Sequence, residues 1–279
     1  MEFFEIIEAY ESRRTIFTLY PICDTHYGLA GTEEDEILKM VKAIERDKNA
    51  RWIGLGEMCD LIVPGDKRWD PAMMAPWVDH LDVAQSEVDR FLDVFKPIKD
   101  KCWGLLNDNH SESIRRQINR DVYSDLVREL GVNRLEFECF LNISFRRQTG
   151  DGNNPSNVIH FWLHHGWFGG RLMGETALNL ERLPQSYDAD IYIVAHGHKA
   201  LVVPLDHLTA RYGDGRNADT RPISMNRWAM MAGSWVNAHK IGKRSWAERR
   251  GFKPQPIGCP IIKIKPSARR IEIVTGGNL

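Results

Sequence analysis

The sequence predicts an α/β protein, on three observations. Short β-rich apolar runs alternate with amphipathic stretches of helical period. Over 279 residues, 43% are hydrophobic and 27% charged, the composition of a well-cored globular chain. Residues of metal-ligand and acid–base type follow directly on the ends of the predicted strands, where open α/β sheets place their ligands.

The elements follow in chain order. Residues 1–14 (MEFFEIIEAYESRR) are expected as an N-terminal extension, and their four Glu before the first Arg argue against a secretory leader. Thr15–Cys23 (TIFTLYPIC) predicts the first strand. Thr32–Asn49 predicts a helix, with Thr32 as N-cap, acids in the first turn, and Ile37, Leu38, Val41 and Ile44 at helical spacing. Trp52–Leu55 predicts a second strand. His80–Lys96 predicts a helix that carries Leu81, Val88, Phe91 and Phe95 and stops at Pro97. Cys102–Leu106 predicts a third strand, and 111–130 another helix. The second half is richer in strands: 135–145, 158–163, 191–194, 201–205, 223–232 and 260–274. Polar, glycine-bearing loops are expected at 146–157 (RRQTGDGNNPSN) and 211–221 (RYGDGRNADTR), both rimming the site. With no repeat and no linker, a single domain over 1–279 is expected.

Total charge is uninformative, with 37 Lys+Arg against 38 Asp+Glu, but its distribution is not. The basic C-terminal region, 240–270, holds ten Lys/Arg against the single acid Glu248, so it carries +9 and the rest of the chain −10. This is either a solvated basic face or the approach of an anionic partner. No apolar run reaches the roughly 18 residues of a membrane span, and no membrane partner is expected. Cys23, Cys59, Cys102, Cys139 and Cys259 are odd in number and scattered, so no disulfide framework is expected and a cytoplasmic location is.

Six of the ten His (His26, His110, His164, His165, His196, His198) fall in four segments just past strand ends, as do Asp24, Glu57, Asp60, Asp108 and Asn109. Each segment alone has an ordinary structural reading. Asp24 suits a turn, and Asp108, Asn109 or Ser111 a helix N-cap. His196-Gly197-His198 is the sharpest, because the glycine lets the backbone turn both rings to one point. Jointly, imidazoles, carboxylates and one amide at successive strand ends suit Mn, Fe or Zn, not Ca or a thiolate zinc site.

In order, Asp24-Thr25-His26, Gly56-Glu57-Met58-Cys59-Asp60, Asp108-Asn109-His110, His165-Gly166 and His196-Gly197-His198 resemble the five motifs of the calcineurin-like metallophosphoesterase superfamily. The likeness spans about residues 15–264. The segments 165–171 (HGWFGGR) and 232–235 (AGSW) have a phage or prophage flavour. The resemblance implies an αββα sandwich of two mixed β-sheets flanked by helices. It also implies a hydrolase that cleaves a phosphate ester with two divalent ions, Mn foremost, then Fe, Zn or Ni. Such ions neutralise the phosphoryl charge and hold the attacking hydroxide. By the resemblance, Asp24, His26, Glu57 and His198 hold one ion. Glu57 (shared), Asn109, His165 and His196 hold the other. His110 is the general acid and Arg171 a phosphate clamp.

The chain departs from the family pattern in three places. Glu57 stands where the bridging Asp is expected, with Asp60 as the alternative, and Asp108 and Ala195 replace glycines. His164 competes with His165 as ligand. The basic region points to a phosphodiester of a nucleotide or nucleic acid as substrate. A phosphomonoesterase or a catalytically silent interaction scaffold is the alternative. Trp167 either packs under a loop or stacks a base.

Overall fold

The computed structural model of the chain describes residues 1–149, 156–168, 170–209 and 223–275. The elements are β1 (Glu2–Tyr10), β2 (Phe17–Ile22), α1 (Glu34–Arg46), β3 (Ala50–Gly54), α2 (Val83–Phe95), β4 (Cys102–Leu105), α3 (Asn109–Ile118) and α4 (Val122–Leu130). Then come β5 (Glu138–Arg147), β6 (Ser156–His164), α5 (Met173–Arg182), β7 (Ile191–Val194), β8 (Ala200–Thr209), β9 (Ile223–Ala232), α6 (Trp246–Arg250), β10 (Ile261–Lys265) and β11 (Arg270–Val274). They build a mixed α/β structure with two mixed sheets. One has six strands in the order β1-β5-β6-β7-β9-β8, the other five in the order β11-β10-β2-β3-β4.

Strand alternation explains the layering. In β6, Ile159, Phe161 and Leu163 enter a core shared with Leu19, Ile53, Trp103 and Ile262 of the other sheet, while Trp162 faces the opposite way. In β7, Ile191 and Ile193 point into that shared core, and Tyr192 and Val194 turn outward against Leu180 of α5. Strands covered on both faces read as unbroken apolar runs, as β7 does, while β6 is interrupted by His160. The outer face of the five-stranded sheet (Tyr20, Ile22, Trp52) is covered by Ile37, Met40, Val41 and Ile44 of α1 and by Phe91 and Phe95 of α2. Each such side chain contributes about 1.5–3 kcal/mol on burial. No described helix is long and apolar enough to cross a membrane.

Five sequence expectations change. Thr32 does not cap α1, which starts at Glu34 behind Glu33; its Oγ1 donates instead to Thr25 O and His26 O. Residues 1–14 are not a plain extension, because β1 lies among them and pairs in parallel with β5 from Glu2↔Cys139 to Tyr10↔Arg147. The doublets Phe3-Phe4 and Ile6-Ile7 hide its two-residue period; Phe4 and Ile6 pack inward while Phe3 and Ile7 are exposed. Glu8 secures it, since its Oε1 accepts from Arg51 Nε (2.6 Å) and Trp103 Nε1 (2.8 Å) of the other sheet. The helix expected at 111–130 is two. Asn119 ends α3 in a left-handed conformation (φ 57°), and Asp121 caps α4 by accepting from Ser124 N. The run 260–274 is a hairpin of β10 and β11. Helix α5 has no counterpart in the sequence reading, because only Thr176 and Leu180 are buried on it and Gly174 interrupts its pattern. Of the rim loops expected at 146–157 and 211–221, residues 146–147 and 156–157 belong to β5 and β6, and 150–155 and 211–221 lie outside the described residues.

Candidate metal centre

The segments that follow β2 and β3 are laced together beyond the sheet. Asp24 N donates to Gly56 O (3.1 Å), His26 N to Glu57 O (3.0 Å), Tyr27 N to Met58 O (3.0 Å) and Asp60 N to Tyr27 O (2.9 Å). Asp24, His26, Glu57, His196 and His198 all have φ between 43° and 65°. That conformation costs an L-residue about 1–2 kcal/mol and clusters at functional sites. The lacing sustains it, with Ser234 Oγ and Trp235 N donating to Asp24 O and Thr32 Oγ1 to His26 O. Gly56 (φ 97°) is required, since a Cβ there would lie 2.5 Å from His165 Nδ1. Asp108 (φ −144°) and Ala195 are not left-handed, so their departure from glycine carries no strain.

Glu57 sits at the centre. Its carboxylate oxygens lie 3.2 Å from His26 Nε2, 3.2 Å from His196 Nδ1, 3.6 Å from His110 Nε2, 3.7 Å from His165 Nε2 and 3.7 Å from His198 Nε2. Two groups able to hold an ion share it, His26–Glu57–His198 and Glu57–His165–His196. Asn109 Oδ1 stands 2.8 Å from His165 Nε2.

The outer hydrogen bonds orient the rings. His165 Nδ1 donates to Leu55 O (2.8 Å), which turns Nε2 towards Glu57 and Asn109, and against the effect of burial the Glu57 carboxylate raises the ring's pKa to about 9. His26 Nδ1 lies 2.8 Å from Asp60 Oδ1, so its Nε2 turns inward, 3.3 Å from His198 Nε2. Ser234 Oγ donates to Asp24 O (3.1 Å) and therefore accepts from His198 Nδ1 (3.2 Å). Ser234 is thus a positioning residue absent from the expected set, although its place after β9 obeys the same strand-end rule.

The alternatives separate. Glu57 takes the centre and Asp60 backs His26, although His26, Asp60 and His110 form a third group able to hold an ion. His165 is buried in the site. His164 instead stacks on Trp162, accepts from Gly166 N, and burial pushes its pKa down to about 4. Trp167, half exposed, packs edge-on against His164 and Phe168. Asp24 is brought to the site without joining either Glu57 group. Its Oδ1 accepts from His196 N (3.3 Å), and its buried Oδ2 has no hydrogen-bond partner.

The electrostatics suit a cation. Burial pushes the Glu57 carboxyl up, but the charges of His110 and His26 and hydrogen bonds from His165 and His196 outweigh it, holding the group well below the carboxylate range. Burial likewise opposes charge on His26, yet Glu57 and Asp60 carry its pKa well above the usual histidine value. Burial raises Asp24. Carboxylates and inward-facing ring nitrogens crowd one buried point, with Asp24 Oδ2 and Glu57 Oε2 lacking hydrogen bonds. Such a donor set is balanced by protons on the rings or by divalent ions, and the residue types fit the latter.

His26, Glu57, Asn109, His196 and His198 floor a cleft of about 820 Å³, lined also by His110, Lys67, Arg68, Arg171, Arg249, Arg250, Phe252 and Lys253. The basic region therefore reaches the site only in part. Lys240 pairs with Glu33 and Arg269 with Asp190, away from the cleft. Arg171 is exposed, with its guanidinium 5.9 Å from the Phe252 ring. Buried Lys199 holds the backbone carbonyls of Gly170 and Leu172 on either side of Arg171. No protein-family model matches the chain, and no curated protein sequence matches it.

Proposed function

We propose that the chain is a metal-dependent phosphoesterase of the calcineurin-like type, acting on a phosphodiester of a nucleotide or nucleic acid. The observation that carries this is Glu57, a buried carboxylate shared by two imidazole-bearing groups at the ends of parallel strands. The layered order of helices, sheet, sheet and helix supports the same family. Asp24, His26, Glu57 and His198 would hold one divalent ion and Glu57, Asn109, His165 and His196 the other. When bound, the ions supply charge neutralisation at the phosphorus and an acidified water.

The chain's own groups do the rest. Asp60, Leu55 O and Ser234 keep the ligand rings of His26, His165 and His198 in register, so the site is organised before substrate arrives. His110, tied through Nδ1 to the backbone carbonyl of Asp60, presents Nε2 to the cleft. A proton on Nε2 is placed to pass to the leaving oxygen. The cationic walls favour an anionic substrate longer than one phosphate.

The test is hydrolysis of a nitrophenyl phosphodiester against its monoester, after stripping metal and restoring Mn²⁺. Metal-restored turnover that prefers the diester supports the reading, and preference for the monoester makes the protein a phosphatase. Folded, Mn²⁺-loaded protein inert to both would leave an interaction scaffold.

A further inference from the structure

Arg68 lies in the segment between β3 and α2, away from every strand end. Its guanidinium is anchored from behind, with Nε 3.0 Å and Nη2 2.8 Å from the two oxygens of Asp66. Asp66 is itself fixed, accepting from Arg68 N (2.8 Å) and from Gln117 Nε2 of α3 (2.9 Å). Asp66 is buried, and its bonds to Arg68 hold the carboxyl well below the carboxylate range. Pinned this way, Arg68 turns its remaining Nη1 edge into the cleft, 3.2 Å from His110 Nε2.

We propose that Arg68 is a substrate-binding residue that grips a non-bridging phosphoryl oxygen beside His110. This rests on the phosphoesterase reading of the same cleft. The guanidinium stays charged at any working pH, and its fork suits phosphate oxygens. Because Asp66 immobilises it, little further side-chain entropy is lost on binding. Three other cleft cations are placed differently. Arg249 points to Asp70, Lys199 is engaged by backbone carbonyls, and Arg171 leans on Phe252. Without substrate, Arg68 Nη1 faces the same nitrogen that must serve the leaving group. An anion that takes up the Nη1 edge replaces His110 as its partner and leaves His110 Nε2 to the leaving group, with the guanidinium still held by Asp66. Arg68 therefore couples phosphate binding to exposure of the acid.

The probe is inorganic phosphate, titrated calorimetrically into Mn²⁺-loaded wild type, Arg68→Ala, Arg68→Lys and Arg68→Gln. The glutamine variant still offers Asp66 an amide donor and covers a failure of Arg68→Ala to fold. Loss of a charge-assisted hydrogen bond predicts phosphate binding weaker by about 10- to 100-fold in the alanine and glutamine variants, and less in the lysine variant. Bound Mn²⁺ should be unchanged. With the nitrophenyl diester, KM should rise with the same ranking, and added guanidinium should partly restore Arg68→Ala. Wild-type phosphate affinity in folded Arg68→Gln, or no phosphate binding by wild type, overturns the proposal. Wild type that hydrolyses no ester yet loses phosphate affinity in these variants would sink the hydrolase reading and keep the anion site.

Discussion

Gly56 offers the cleanest test of how the centre is built, because its substitution alters backbone and site geometry without removing a ligand. In Gly56→Ala the new methyl would meet His165 Nδ1 at 2.5 Å and Asp108 Cβ at 2.8 Å. Neither neighbour yields easily. His165 Nδ1 is held by Leu55 O, and Asp108 caps α3 through Ser111 N (2.7 Å). The left-handed φ of 97° adds strain for any L side chain. Conformation costs about 1–2 kcal/mol and overpacking about 1–3, together about 2–5 kcal/mol. For a chain of this size that lowers the Tm by about 4–10 °C. Displacing His165 from Leu55 O should also weaken metal uptake by about 10- to 100-fold. The assays are a thermal melt of metal-stripped protein and a Mn²⁺ titration at neutral pH. A melt within about 1 °C of wild type, with unchanged Mn²⁺ affinity, would refute the packing geometry.

Other substitutions separate the roles around Glu57. His196→Ala should lose bound metal and turnover together, whereas His110→Ala should keep its metal and lose turnover. Metal analysis beside a diester assay tells them apart, and metal loss in His110→Ala would make that residue a ligand. Ser234→Ala removes the acceptor for His198 Nδ1 and should lower Mn²⁺ affinity about 10- to 100-fold with the fold intact. Equal affinity would deny it a positioning role. Glu87 tests buried charge behind the site. Its Oε2 accepts from Leu61 N (2.7 Å), its Oε1 has no partner, and burial, then the charge of Asp60, raise its pKa well above the usual value. A raised carboxyl contributes stability below its unfolded pKa of about 4.3 and loses it as pH rises through the folded value. Glu87→Gln should therefore melt higher than wild type at alkaline pH, with the gap closing towards about pH 4. A constant gap would contradict this.

Much of the fold was legible because its signals are local. The periodicity of α1 and α2 and the apolar runs of β2, β3, β6 and β7 follow from which faces each element must bury. The ligand-type residues could be collected from the sequence for a related reason. A residue just past a parallel strand is carried to the same edge of the sheet as its counterparts, wherever it lies in the chain. Strand β1 and helix α5 escaped notice, since an edge strand with paired apolar residues and a helix with a narrow buried face carry weak periodicity.

The sequence by itself thus placed Asp24, His26, Glu57, Asn109, His110, His165, His196 and His198 just past strand ends as candidates, together with the elements that deliver them. Tertiary structure decided which way each side chain points. It turned His165 into the site and His164 onto Trp162, set Glu57 at the centre with Asp60 behind His26, and drew in Ser234 and Arg68. Periodicity reports the face of an element and little more. Partners such as Asp60 for His26, or Asp66 for the guanidinium that reaches His110, are settled by φ values and contacts between segments distant in the chain.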